Sequence, residues 1–80
     1  MKEIISLNDV EPETTMIVER IEGDIVVKTN LNMVGIFEGV ELTVVDTMAP
    51  LQKRELYVTT KIGEELVTIG RGLAGKILVS

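Results

Sequence analysis

Any chemistry in this chain would have to rest on carboxylates. The sequence has no His and no Cys, while Asp and Glu together number 13. Disulfides, thiolate nucleophiles, Cys/His zinc sites and histidine acid–base catalysis are therefore excluded at once. The acidic residues that cluster form three groups: Glu11 with Glu13, Glu19 with Glu22 and Asp24, and the Glu64-Glu65 pair. A hard cation needs several oxygens converging on one point, and no Asp-x-Asp-x-Asp-Gly loop supplies them. The groups read as solvated surface carboxylates. No cofactor is expected, and 80 residues leave little room for a substrate cleft beside a carboxylate pair. An enzyme is not expected.

Two further motifs offer binding without catalysis. Gly70-Arg71-Gly72-Leu73-Ala74-Gly75 contains a G-x-G, but lacks the Lys-Ser/Thr of a phosphate-binding loop and the long helix of a dinucleotide site. It reads as one tight turn between strands. Lys53-Arg54, Lys61 and Lys76 are the nearest thing to a basic patch, with Tyr57 as the only nearby aromatic. The formal charge of −5 repels phosphate backbones and anionic lipid, so no nucleic acid partner is expected. More informative are Met33, Ile36, Phe37, Met48, Pro50 and Leu51, large apolar residues placed in segments with turn chemistry. Either they plug the ends of a small barrel, or some of them form an exposed patch for docking another protein, a use that suits the flexible thioether of methionine.

The elements that must position these residues are short. Val and Ile arrive in bursts separated by Gly, Asn, Asp or Pro, which is the pattern of strands. Strands are expected over 14–21, 40–45, 55–60, 65–69 and 76–79, with a loop or single turn at 6–12. In the first strand, Thr15, Ile17, Glu19 and Ile21 would share one side and Met16, Val18 and Arg20 the other. A hairpin turn is expected at Lys61-Ile62-Gly63-Glu64. Residues 24–34 are ambiguous by propensity. Ile25-Val26-Val27 is β-branched, yet Asp24 is a good helix N-cap, Val27, Leu31 and Val34 have helical spacing, and Gly35 stands where a left-handed cap would sit. Five short strands at close spacing in one domain over 1–80 suggest a barrel, which removes exposed sheet edges. Apolar runs are too short to span a membrane, so no direct membrane insertion is expected. Nothing after Met1-Lys2-Glu3 resembles a signal peptide, so a cytoplasmic location is expected.

The order of apolar residues and glycines resembles the FeoA family, small cytoplasmic SH3-like proteins associated with ferrous iron transport. The resemblance begins with Leu7-Asn8-Asp9-Val10-Glu11-Pro12 and Ile17-Val18-Glu19-Arg20-Ile21-Glu22-Gly23. Its most specific stretch is Leu31-Asn32-Met33-Val34-Gly35-Ile36-Phe37-Glu38-Gly39-Val40-Glu41-Leu42, followed by Pro50-Leu51 and the closing segment from Thr68 to Val79. Two departures stand out. Glu13 occupies a position where the family usually has a glycine soon after the opening proline. The segment Ile25-Val26-Val27-Lys28-Thr29-Asn30 is β-branched and nearly neutral where the family tends to carry basic and leucine residues.

The resemblance implies a mainly β fold, a small SH3-like five-stranded barrel with one short helix, and favours the helix reading for 24–33. It implies a non-enzymatic interaction module docking on the cytoplasmic, GTPase-containing region of the ferrous iron transporter FeoB. Phe37, Met48, Pro50 and Leu51 are the expected contact residues. An alternative is an SH3-like regulatory domain similar to the C-terminal domain of DtxR-type iron-dependent repressors, working beside a winged-helix domain. A translation-type barrel binding RNA is disfavoured by the charge and by having one Phe, one Tyr and no Trp.

Overall fold

The computed structural model describes residues 3–45 and 56–80. In chain order these form β1 (Ile5–Ser6), a 3-10 turn (Leu7–Asp9), β2 (Thr14–Ile21), α1 (Ile25–Met33), β3 (Glu41–Val44), β4 (Tyr57–Ile62), β5 (Glu65–Gly70), α2 (Arg71–Ala74) and β6 (Ile77–Val79). All strand pairs are antiparallel, in the order β1-β6-β2-β3-β4-β5. The expected strands form within a residue or two of their predicted bounds. A sixth strand, β1, lies just ahead of the expected loop and shares only Ser6 with it; it is held by two pairs to β6, Ile5 with Val79 and Ser6 with Leu78. Two residues carry too little periodicity to be read as a strand; their pairing comes from the far end of the chain.

The turns follow local backbone demands. Gly63 opens the two-residue loop between Ile62 and Glu65 at φ 61°, a positive angle that a type II′ hairpin requires at its first central position. Pro12 and Glu13 form the turn that enters β2, and Glu13 takes φ 66°, the left-handed value that a type II turn demands after proline. This is the position where the resemblance led one to expect glycine, and Glu13 fills it at a conformational cost.

β2 corrects the sequence reading of its two sides. A register shift between Val18 and Arg20, where β2 changes partner residues along β6, inserts a bulge. Val18 and Ile21 are both buried while Arg20 is exposed, so strict alternation fails after Val18. The bulge lets one strand serve two differently directed parts of the sheet, pairing β3 through Thr14–Ile17 and β6 through Val18–Ile21. The core inside this curve gathers Leu7, Val18, Leu31, Ile36, Leu42 and Ile77, all at most 1% exposed. The buried Thr60 hydroxyl is satisfied by Val67 O at 3.1 Å.

The sheet's two ends are joined by side chains and not by a ladder. α2 lies against β4, β5 and the 3-10 turn. Asn8 Nδ2 donates to Arg71 O at 2.9 Å, and Arg71 Nη1 donates back to Asn8 O at 3.3 Å. A Cβ on Gly75 would stand 3.2 Å from Asn8 Nδ2, so the glycine leaves room for this clasp. The glycine-rich segment is thus the tight turn its composition suggests, used to bring the chain back under the 3-10 turn.

Candidate docking surface

α1 begins and ends on sharply defined caps. Asp24 is extended, at φ −87° and ψ −176°, and its carboxylate accepts from Val27 N at 3.1 Å, the N-cap bond expected from its position. At the other end Gly35 N donates to Asn32 O at 3.1 Å and Ile36 N to Leu31 O at 2.9 Å, while Gly35 takes φ 93°. These are the two bonds of a Schellman motif, and its accompanying apolar contact joins Leu31 and Ile36, both core residues. The capping signals therefore decide the ambiguity of 24–34 in favour of helix, over the strand propensity of Ile25-Val26-Val27.

The same cap sorts two adjacent apolar residues. Ile36 is swung into the core and is fully buried, whereas Phe37 is 46% exposed. Phe37 then starts a tight turn in which Val40 N donates to Phe37 O at 3.1 Å and Gly39 takes φ 90°. Bonds from Gly39 N to Val18 O and from Val18 N to Val40 O tie that turn to β2. The Phe37 ring is consequently presented by a fixed backbone, on a shallow groove shared with Ile21, Lys28, Asn32 and Glu38.

Beside this groove, α1 shows solvent an unusual face. At 3.6 residues per turn, Ile25, Thr29 and Met33 stack on one side with Val26 next to them. Val27 and Leu31 point the other way, into the core. Ile25 is 78% exposed and Met33 80%, and Val26, Val34 and Phe37 are exposed as well. Of the large apolar set singled out in the sequence, Ile36 belongs to the core, and Met33 and Phe37 lie on the surface. Met48, Pro50 and Leu51 lie outside the described residues, as do Lys53 and Arg54. Ile25 and Val26 were missed as surface residues because β-branched neighbours normally signal burial; their phase relative to Val27 and Leu31 is the signal that could have found them.

The acidic groups do not assemble. Among the described residues no group of three carboxylates is placed to hold a metal. Arg20 and Glu22 form an exposed ion pair at 3.0 Å, and Glu19 accepts a hydrogen bond from the Ser80 hydroxyl. Lys61 lies in β4 and Lys76 in the turn before β6, and both are exposed. A small recess of about 120 Å³ adjoins the Asn8–Arg71 clasp, with Leu7, Val44 and Tyr57 among its walls. No helix among the described residues is long and apolar enough to cross a membrane.

Comparison with known proteins gives this geometry a family. The FeoA domain model matches residues 5–80. A crystal structure of an iron uptake regulatory protein (FeoA) superposes with a TM-score of 0.81 at 25% identity, covering 99% of this chain and 97% of that one. A FeoA-like protein from Clostridium acetobutylicum gives 0.81 at 24% identity, covering 100% and 88%. A manganese-dependent transcriptional repressor gives 0.82 at 20% identity over 99% of this chain, which spans 42% of that protein. No curated protein matches the sequence. The mainly β, SH3-like architecture with a short helix is shared across these neighbours.

Proposed function

The chain belongs to the FeoA family, and from that premise we propose that it is a non-enzymatic accessory protein of ferrous iron transport. It docks on the cytoplasmic, GTPase-containing region of a FeoB-type transporter and works by contact, in the cytoplasm, without chemistry of its own. The observation that supports this most is the apolar surface beside the end of α1, where Phe37 is held outward by a turn bonded to β2. A rigidly presented aromatic ring is the kind of anchor that carries binding energy at protein interfaces. Phe37 is the contact residue within the described structure, and Met48, Pro50 and Leu51 are assigned to the same contact from their sequence alone.

Calorimetric titration of the purified chain into the FeoB cytoplasmic region, in each nucleotide state, tests the reading. Saturable binding is expected, with Phe37→Asp reducing affinity at least about tenfold, or about 1.4 kcal/mol. Absence of binding in every nucleotide state would overturn direct docking.

The likeness to the manganese-dependent repressor favours a second reading, an SH3-like regulatory domain acting beside a DNA-binding partner. A gel shift of duplex DNA by the purified chain would support it; no shift would leave the transport reading in place.

A further inference from the structure

Asn32 stands in the last turn of α1 and lines the groove beside Phe37. Its main chain belongs to the cap, since Asn32 O accepts from Gly35 N at 3.1 Å. Its side chain has a separate task. In the orientation that satisfies its surroundings, Nδ2 donates to Ile36 O at 2.8 Å and to Lys28 O at 3.3 Å. Turned the other way, Oδ1 would face two carbonyl oxygens and neither bond would form.

Ile36 O is the carbonyl that needs this donor. Ile36 is fully buried, main chain included, so water does not reach its carbonyl. Among the described residues no backbone N–H donates to it. A buried carbonyl left without a donor is costly, and the carboxamide of Asn32 removes that cost. The same carbonyl belongs to the peptide unit that leads into Phe37. Ile36 N is held by Leu31 O and the Ile36 side chain by the core, so the carboxamide is the third point fixing this residue. Beyond the ring, Phe37 O accepts from Val40 N. With the backbone bonded on both sides, the Cα–Cβ direction of Phe37 is set.

We propose that Asn32 is the positioning residue of the docking surface: its carboxamide fixes the Ile36–Phe37 peptide and so sets the direction in which the ring meets a protein partner. The inference rests on the docking reading of Phe37 and adds the residue that orders the anchor before the partner arrives. Such ordering matters because a side chain immobilised only on binding lowers the affinity. The residue type suits the task. Asn carries two N–H donors on a short side chain, whereas Asp has nearly the same shape and, ionised, only accepts.

Side-chain NMR of the free chain, paired with calorimetry against the FeoB cytoplasmic region, tests the proposal. In the wild type, three-bond couplings should place the Phe37 χ1 angle in one rotamer. In Asn32→Asp the two donors are gone, so Phe37 should average over rotamers and the affinity for FeoB should fall about two- to tenfold. Val58→Ala, a core truncation on β4, should lower stability while leaving the Phe37 rotamer and the affinity unchanged. If Asn32→Asp loses its native circular dichroism, Asn32→Ala, which removes the donors without adding a charge, decides. A Phe37 that keeps one rotamer in Asn32→Asp, or loosens as much in Val58→Ala, overturns the proposal. So does a loosened ring with undiminished affinity. A wild-type chain that binds no FeoB defeats the docking reading instead, and the rotamer measurement on the free chain still decides whether Asn32 holds the ring.

Discussion

The two sides of α1 are built from the same kinds of residue and do opposite things. Toward the sheet, Val27 and Leu31 pack on the core and Ile36 completes that surface from beyond the helix end. Toward solvent, Ile25, Val26 and Met33 are exposed, with Phe37 close by on the following turn. Apolar character alone does not decide which side a residue joins. The phase of the helix and the geometry of its two caps do. An apolar residue on the wrong side of such a helix costs solubility without contributing to the core, and a protein partner gives that surface a use.

Several substitutions would break or sharpen this contrast. The largest effect is expected at Ile36, where Ile36→Ala should destabilise the fold by about 2–5 kcal/mol in chemical denaturation, since it opens a cavity at a fully buried site. Gly35→Ala forces a Cβ into φ 93° and should cost about 1–2 kcal/mol, loosening the cap that separates Ile36 from Phe37. Asp24→Ala removes the N-cap acceptor of Val27 N and should cost about 1 kcal/mol. Glu13→Gly works in the opposite direction, relieving a left-handed backbone at φ 66°, and should raise stability by up to about 1 kcal/mol. On the outer side, Met33→Gln should change stability by less than about 0.5 kcal/mol. A Met33→Gln loss comparable to that of Ile36→Ala would mean that the two sides are not as distinct as their exposures indicate.

Much of this architecture could be read from the residues. Strand positions followed from β-branched bursts and the turn residues between them, whereas Asp24, the Val27–Leu31 spacing and Gly35 left α1 open against the strand propensity of Ile25-Val26-Val27, and the family resemblance favoured the helix. The sorting within the apolar set was not legible. Met33, Ile36 and Phe37 look alike as residue types, and only the Schellman bonds to Leu31 O and Asn32 O place Ile36 in the core. The bulge in β2 was hidden because Val18 and Ile21 fit neither strand alternation nor a turn. The Asn8–Arg71 clasp joins residues 63 apart, and no local pattern foretells a side chain that bonds across the whole chain. Glu13 is the reverse case. Its oddness was visible as a departure from a glycine position, and the structure supplies the reason in the backbone angle.

The central claim is that the surface beside the end of α1, with Phe37 as its anchor, is where a protein partner docks. Amide chemical shifts of the labelled chain, recorded while the FeoB cytoplasmic region is added, test it most directly. The account predicts shifts confined to 36–39, 48–51 and the outer face of α1, and their loss in Phe37→Asp with the rest of the spectrum unchanged. Binding that shifts other residues and survives Phe37→Asp would contradict it.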